Sequence, residues 1–328
     1  MNRSWLRRMA LGLIFFAGAV SAQSASAQAY PAKPVRLIVG FAAGGSVDLV
    51  GRLLAQKLTA NYGRQVVVEN RPGAASHIAG QFVSKADPDG YTLLLSSQGG
   101  LGTNLAIYKK MPYNPLEELT PIALIVFQAH VLIVNPTVPS RSVKEFIALG
   151  KAQPGKLTFG SAGTGGVIHI ATELFNSMTG IKMVHVPYKG GAPALVDLVG
   201  GQLDLVFQPV PEAIPYIKGG RVRALGVTSP KRSASLPDVP TIAEAGVPGY
   251  SYVGWMGTAG PAGMPKELAA RISEDFNKAL TAPDVQSRFV ELGLDVAGGT
   301  PEQLAAHMRE ELAKMVKLVK AVGIPPVD

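Results

Sequence analysis

Three glycine-rich turns hold the residues whose types and spacing could do chemistry. The first is Phe41-Ala42-Ala43-Gly44-Gly45-Ser46-Val47-Asp48, the second Ser96-Ser97-Gln98-Gly99-Gly100, and the third Gly160-Ser161-Ala162-Gly163-Thr164-Gly165-Gly166. Each follows a short apolar run, as a turn leaving a strand would. Glycine lets a backbone approach a ligand closely, and amides at the opening of a helix point their N–H groups outward, where the helix dipole favours an anion. Turns of this kind hold a carboxylate without Arg or Lys, and the hydroxyls of Ser46 and Ser97 would add polar contacts. The bland alternative is that the glycines only make tight turns.

Rival chemistries fail residue by residue. A phosphate-binding loop needs Gly-Lys followed by Ser or Thr, which none of the turns contains. Gly163-Thr164-Gly165 begins a dinucleotide fingerprint, but Ile168 stands at its third glycine position. A nucleophile elbow around Ser161 would need glycine where Phe159 stands. His169 and Glu173 are spaced i, i+4 on one helix, a pair that is more often structural than metal-binding in the absence of a third ligand motif. His169 could instead face the ligand from the first turn of its helix. Asp48 suits a first-turn carboxylate better than a ligand contact, because an acid would repel an anionic solute. Asp204, just before an apolar strand, either accepts a hydrogen bond from the ligand or anchors a loop. Phe41, Tyr188 and Trp255 are candidate apolar walls, although aromatic side chains are more often core.

The elements that position these turns alternate between short β-branched runs and segments of helical period, the pattern of an α/β fold with largely parallel sheets. Strands are expected at Val35 to Phe41, Val66 to Glu69, Tyr91 to Leu95, Ile122 to Val126 and Val131 to Val134. Further strands are expected at Leu157 to Phe159, Met183 to Val186, Leu205 to Phe207 and Val222 to Val227. Helices are expected after the first and third turns, over Ser142 to Gln153, over Ala192 to Val199 and over Pro301 to Val322. A Pro- and Gly-rich tract from Ser229 to Pro265 holds one isolated strand near Tyr250 to Trp255. Two similar blocks, joined near 127–130 and 227–230, imply two lobes about a cleft: 28–128 and 229–328 in one, 129–228 in the other. Ligands of open α/β sheets sit beyond the carboxyl ends of the strands, which again directs attention to the turns.

Arg3, Arg7 and Arg8, an apolar run from Met9 to Val20, and Ala25-Ser26-Ala27 form an export signal with cleavage near Ala27. The apolar run is shorter than the roughly 20 residues of a membrane span. The full chain carries a formal charge of +8, and losing the three leader Arg leaves +5. Those charges are dispersed, which argues against nucleic acid, while a mild positive balance attracts anions. Absence of cysteine excludes disulfides, thiolate catalysis and Cys-based metal sites. No cofactor and no metal is expected.

Seven segments, in order, resemble one family. They are Tyr30-Pro31-Ala32-Lys33-Pro34-Val35-Arg36, Gly44-Gly45-Ser46-Val47-Asp48, Val68-Glu69-Asn70-Arg71-Pro72-Gly73 and Pro88-Asp89-Gly90-Tyr91-Thr92-Leu93-Leu94. His185-Val186-Pro187-Tyr188-Lys189-Gly190, Leu236-Pro237-Asp238-Val239-Pro240-Thr241 and Glu244-Ala245-Gly246-Val247-Pro248-Gly249-Tyr250 complete the set. Over essentially the whole mature chain it resembles the Bug (TctC-like) substrate-binding proteins of tripartite tricarboxylate transporters. It departs from the family pattern at Gly166, where Ser is common, at Ala74-Ala75-Ser76, and at Met315, where Trp is frequent. The resemblance implies a two-lobed periplasmic-binding fold (type II-like) with a central cleft that closes like a flytrap. It implies small carboxylate ligands, membrane permease subunits as partners, and a monomer. Carried across, its two pincer loops single out Phe41, Ala43, Gly45, Ser161, Gly163, Thr164 and Gly165, with Asp204 behind them. A periplasmic sensor subunit reporting to a signalling receptor is the alternative, and a secreted hydrolase using Ser161 and His169 a third.

Overall fold

The most continuously apolar runs become the inner strands of two sheets, because a strand covered on both faces has no polar side to show. Strands β5 (His130–Val134) and β8 (Leu205–Pro209) are buried at every residue, as is β10 (Gly254–Pro261). The computed structural model describes residues 30–324 and 326–327; the expected leader, 1–27, lies outside the described residues.

The first sheet has six strands in the order β11-β4-β10-β3-β1-β2. Its remaining members are β1 (Val35–Val39), β2 (Val66–Asn70), β3 (Thr92–Ser97), β4 (Leu119–Gln128) and β11 (Leu294–Val296). The second has five strands in the order β7-β6-β8-β5-β9, with β6 (Thr158–Ser161), β7 (Val184–Pro187) and β9 (Arg223–Val227). Each sheet carries a parallel group, β1 with β2 and β3, and β6 with β7 and β8. Into each is inserted an antiparallel inner strand, β10 and β5. The sheets are therefore mixed where largely parallel ones were expected. The strand expected around Tyr250 to Trp255 begins only at Gly254, and it is not isolated: it runs between β3 and β4 in the middle of the first sheet. Its glycines and prolines had disguised a strand that long-range pairing stabilises.

Helices cover both sheets. Those that matter here are α1 (Ser46–Tyr62), α2 (His77–Ser84), α3 (Val143–Ala152), α4 (Val167–Thr179), α5 (Gly191–Val199) and α6 (Val210–Lys218), followed by α7 (Lys266–Leu280), α8 (Pro283–Leu292) and α9 (Pro301–Val322). The helix α9 shows why local signals fixed its ends. Thr300 and Gln303 form a reciprocal capping box, Pro301 opens the first turn, and Gly323 closes the last in the left-handed region. Leu304 and Met308 sit in the core of the first sheet, while Met315 and Val319 sit in the core of the second.

The chain first crosses between sheets at Ala129, between β4 and β5. The return was expected at 227–230 but falls later. Leu236, Ile242, Val247 and Tyr250 belong to the core of the second sheet, and Ile242 N–H donates to Val227 O at 2.9 Å. Leu236, Ile242, Val247, Tyr250 and Tyr252 thus pack with the second sheet, within a stretch expected in the first lobe, while residues 229–234 line a crevice with Phe127 and Leu294 of the first sheet. Among the described residues no helix is long and apolar enough to cross a membrane.

Candidate functional site

In each sheet the strand order reverses at one point, between β1 and β3 and between β6 and β8. A crevice opens there because the two flanking connections leave in opposite directions. The two crevices face one another across one cleft whose empty space, continuous with solvent, amounts to about 540 Å³. Phe41, Gly45, Ser46 and Val47 reach it after β1, Ser97 at the end of β3, and Gln128 at the end of β4. From the second sheet come His130 at the start of β5, Gly166, Val167 and Ile168 after β6, Gly190 and Gly191 after β7, and Glu212 after β8. Every contributor lies at the strand end that the topology dictates.

Three helices, α1, α4 and α5, open on this pocket with glycine as their N-cap, Gly45, Gly166 and Gly190, and none has a side-chain cap. The first N–H groups of a helix have no intrahelical acceptor, so three positive helix ends converge on one space. Among the described residues lining it there is no Lys or Arg, and the one carboxylate is Glu212. Two almost fully buried side chains carry atoms without partners: Nε2 of Gln128, a donor, and Nδ1 of His130. A buried polar atom left without a partner points to something absent that supplies one. His130 is kept neutral, since burial pushes its pKa down to about 3. A Cβ built on Gly254 would meet Val167 Cγ1 at 3.0 Å and His130 Cε1 at 3.2 Å, which sets His130 beside the opening of α4.

The loop after β1 is braced from within. Asp48 is buried and accepts hydrogen bonds from Gly44 N–H at 2.9 Å, Arg52 Nε at 2.8 Å and Asn70 Nδ2 at 2.9 Å. Burial raises its pKa, but these three donors outweigh burial and hold it below the usual carboxylate value. Asp48 is thus a brace in the first turn of α1, as its position suggested. From the other sheet, Glu212 Oε1 accepts Ser46 N–H at 2.6 Å and Oε2 accepts from Gln208 Nε2. Glu212 is half-buried, its exposed part turned to the pocket. Burial pushes its pKa up to about 7, only partly offset by Ser46 and Gln208.

The loop after β6 is braced by histidines. Gly165 N–H donates to His169 Nδ1 at 3.1 Å, and the rings of His169 and His185 stack at 4.2 Å, with Phe159 stacked on His185 at 4.8 Å. Both histidines are neutral. Burial, helped by His185, pushes His169 down to about 3, and burial pushes His185 to about 4. Ser161 Oγ is buried and pairs with His185 Nε2 at 2.6 Å. The Ser161–His169 pair that a hydrolase would require is therefore not formed; each is tied to another partner. His169 Nε2 lies 3.9 Å from Glu173 Oε1, and among the described residues no group of three or more His, Asp or Glu could hold a metal ion.

Of the candidate ligand residues, Phe41, Gly45, Ser46 and Ser97 line the pocket. Ala43 is exposed away from it. Ser161, Gly163, Thr164, Gly165 and His169 build the loop behind the pocket wall instead. Tyr108, from the first lobe, donates to Thr164 O at 2.6 Å, and a Cβ on Gly165 would meet its ring at 3.0 Å. Asp204 stands at the opposite end of β8 from the pocket, where its Oδ2 accepts Thr158 N–H at 2.7 Å and the Thr158 hydroxyl at 3.0 Å, so it clamps strand starts. Tyr188 donates to Asp197 at 2.7 Å, and Trp255 is core. Sequence reasoning missed Gln128, His130, Gly190, Gly191 and Glu212. The Gly190-Gly191 pair after β7 repeats the signal of the other turns and was findable. Glu212, distant in sequence from Ser46, was not.

With this geometry in hand, likeness to known proteins is informative. Residues 50–324 match the family described as "Tripartite tricarboxylate transporter family receptor" (TctC). "Protein BugT" of Bordetella pertussis is 36% identical over 318 residues, covering 97% of this chain and 98% of that protein. Among solved structures, R. palustris Rpa4515 with adipate superposes with a TM-score of 0.89 at 36% identity, covering 91% of this chain and 100% of that one. MatC (Rpa3494) from Rhodopseudomonas palustris with bound malate gives 0.84 at 31% identity, covering 88% and 100%.

Proposed function

The chain belongs to the tripartite tricarboxylate transporter receptor family, whose members are solute-binding proteins and not enzymes, and from that premise we propose that its pocket captures the carboxylate of a small organic acid. One observation carries the reading. The uncapped amide end of α4 and the unpartnered Gln128 Nε2 face the same small space, so donors converge where no acceptor is present. Val167 and Ile168 N–H groups are the donors that α4 offers, and the helix dipole adds to their pull. Adipate and malate, bound in the two similar structures, are acids of this class.

Binding is coupled to closure. The pocket walls come from both sheets, so a ligand touching both favours the closed arrangement over the open one by its differential affinity. Contacts that already join the lobes, Tyr108 hydroxyl to Thr164 O and Ser46 N–H to Glu212, are those that opening would break. An export signal in residues 1–27 places the mature protein in the periplasm as a monomer, where it delivers its acid to membrane permease subunits.

The test is a thermal-shift screen of residues 28–328 against aliphatic and aromatic acids. Ligand at 100 times its dissociation constant stabilises by about 2.7 kcal/mol. A shift with one class of acid supports capture. A folded protein that no carboxylate stabilises would refute the reading. Small-angle scattering that showed one radius with and without saturating ligand would remove closure alone.

A further inference from the structure

The two ends of the pocket differ in a way that bears on which acids fit. At the α4 end, helix amides await an acceptor; Gln128 Nε2, between the ends, has none either, while its Oε1 accepts the Ser46 hydroxyl at 3.3 Å. At the α1 end the anion position is taken, because Glu212 reaches from the other lobe and accepts the first amide of α1, Ser46 N–H, at 2.6 Å. That is the bond a ligand carboxylate makes to a helix opening. Glu212 also sits over the opening of α5: a Cβ placed on Gly191 would meet Glu212 Oε2 and Gln208 Nε2, both at 3.1 Å. Glycine at 191 leaves the carboxylate room to settle there. One protein carboxylate thus serves the opening of α1 and lies beside that of α5.

Beyond the two N–H groups that Glu212 already accepts, the unpartnered atom beside it is an acceptor. Gln208 Oε1, next to it and fully buried, has no partner. Each Glu212 oxygen takes one N–H and can accept a further hydrogen bond. Among the described pocket residues no Lys or Arg could balance a second negative charge.

We propose that Glu212 sets the ligand class by occupying the α1 anion position with the protein's own carboxylate, so that the pocket takes an acid with a single carboxylate and a hydrogen-bond donor at its far end, an amine, amide or hydroxyl, and rejects the matching diacid. The proposal rests on the carboxylate-capture reading above and narrows it. The ligand's carboxylate lies on α4 and Gln128, and its donor faces Glu212, which lines the pocket. A second carboxylate at that end would meet a like charge in a largely apolar space, where screening is weak.

The experiment is calorimetric binding at about pH 8.5, where Glu212 is ionised, of matched acids to the mature protein and to Glu212→Gln, which keeps the shape and removes the charge. The sets are succinate, succinamate and 4-aminobutyrate; adipate, adipamate and 6-aminohexanoate; and terephthalate, 4-carbamoylbenzoate and 4-aminobenzoate. On the framework that binds, the donor-ended acid is expected to bind the unaltered protein at least tenfold more tightly than its diacid. Glu212→Gln is expected to shrink that ratio at least tenfold by admitting the diacid. A diacid that binds the unaltered protein as tightly as its partners overturns the proposal, and so does an unchanged ratio in folded Glu212→Gln. Should the variant not fold, the ratio in the unaltered protein decides alone. If no member of any set binds, nor acetate, hexanoate or benzoate, the carboxylate reading itself falls, an outcome separable from a wrong preference.

Discussion

The loops after β1 and after β6 are built to one plan and finished differently. Both leave a parallel strand at a reversal of strand order, pass through left-handed glycines and open a helix without a side-chain cap. The first is braced by an ionised carboxylate, Asp48, and its helix end is met by a second, Glu212. The second is braced by neutral imidazoles, His169 and His185. A helix opening that has found an anion within the protein is no longer free to bind one, whereas a neutral brace leaves its helix end available. One plan therefore yields two chemistries, and the bracing residues decide which.

The largest effect that would break this contrast comes from acid. A histidine whose folded pKa is depressed stabilises the fold fully above its unfolded value, about 6.5, and loses that contribution as pH falls toward the folded value. With His130 and His169 at about 3, each should cost about 2 kcal/mol on going to pH 5. Asp48 is depressed too, but for an acid the loss begins only near its unfolded value of 3.8. Glu212 is raised to about 7, so falling pH relieves it between 7 and 4.5, by about 2 kcal/mol at pH 5. Urea denaturation at pH 7 and 5 should show net destabilisation, larger in Glu212→Gln, where that relief is missing. Stability that held level to pH 4 in both proteins would remove the imidazole brace from the account.

Glycine substitutions sharpen the contrast next. Gly44 has φ of 82° with open space around a Cβ, while Gly165 has φ of 76° with Tyr108 and Ile107 at 3.0 and 3.3 Å. Gly44→Ala should cost about 1–2 kcal/mol, for strain alone. Gly165→Ala should cost about 1–3 kcal/mol more and weaken ligand binding, because the crowding adds to strain and falls where the lobes meet. Equal melting temperatures for the two would contradict it.

Carboxylates far from and near the pocket separate stability from binding. Asp204→Ala should lower stability by about 1–3 kcal/mol through the unpaired Thr158 N–H and leave ligand affinity unchanged. A change in affinity would return Asp204 to the site. Gln128→Leu should do the reverse, reducing affinity about tenfold, about 1.4 kcal/mol, with a smaller loss of stability, since its Nε2 has no partner and its Oε1 takes only the Ser46 hydroxyl at 3.3 Å. Unchanged affinity by calorimetry would move the carboxylate elsewhere.

Much of the fold was legible because its signals are local. Alternating β-branched runs and helical periods located the strands from β1 to β9, and glycine after strands pointed to the turns at Phe41 and Gly160. Strand β10 was misplaced since its identity rests on pairing with β3 and β4, partners far away in the chain. Within the site, Phe41, Gly45, Ser46 and Ser97 were accessible to reasoning from loops. Gln128 and His130 were not, because only the crossing at Ala129 brings their ordinary side chains to the cleft.

By itself, then, the sequence determined which segments become strands, where glycine permits a backbone to approach an anion, and, through ordered motifs spread over the chain, the family. These depend on neighbours a few residues apart. Tertiary structure alone decided that Asp204 faces away from the pocket, that His169 braces a loop, and that Glu212 meets Ser46. Burial and helix-end electrostatics act through space, and a carboxylate acquires its role only from the amides it is folded against.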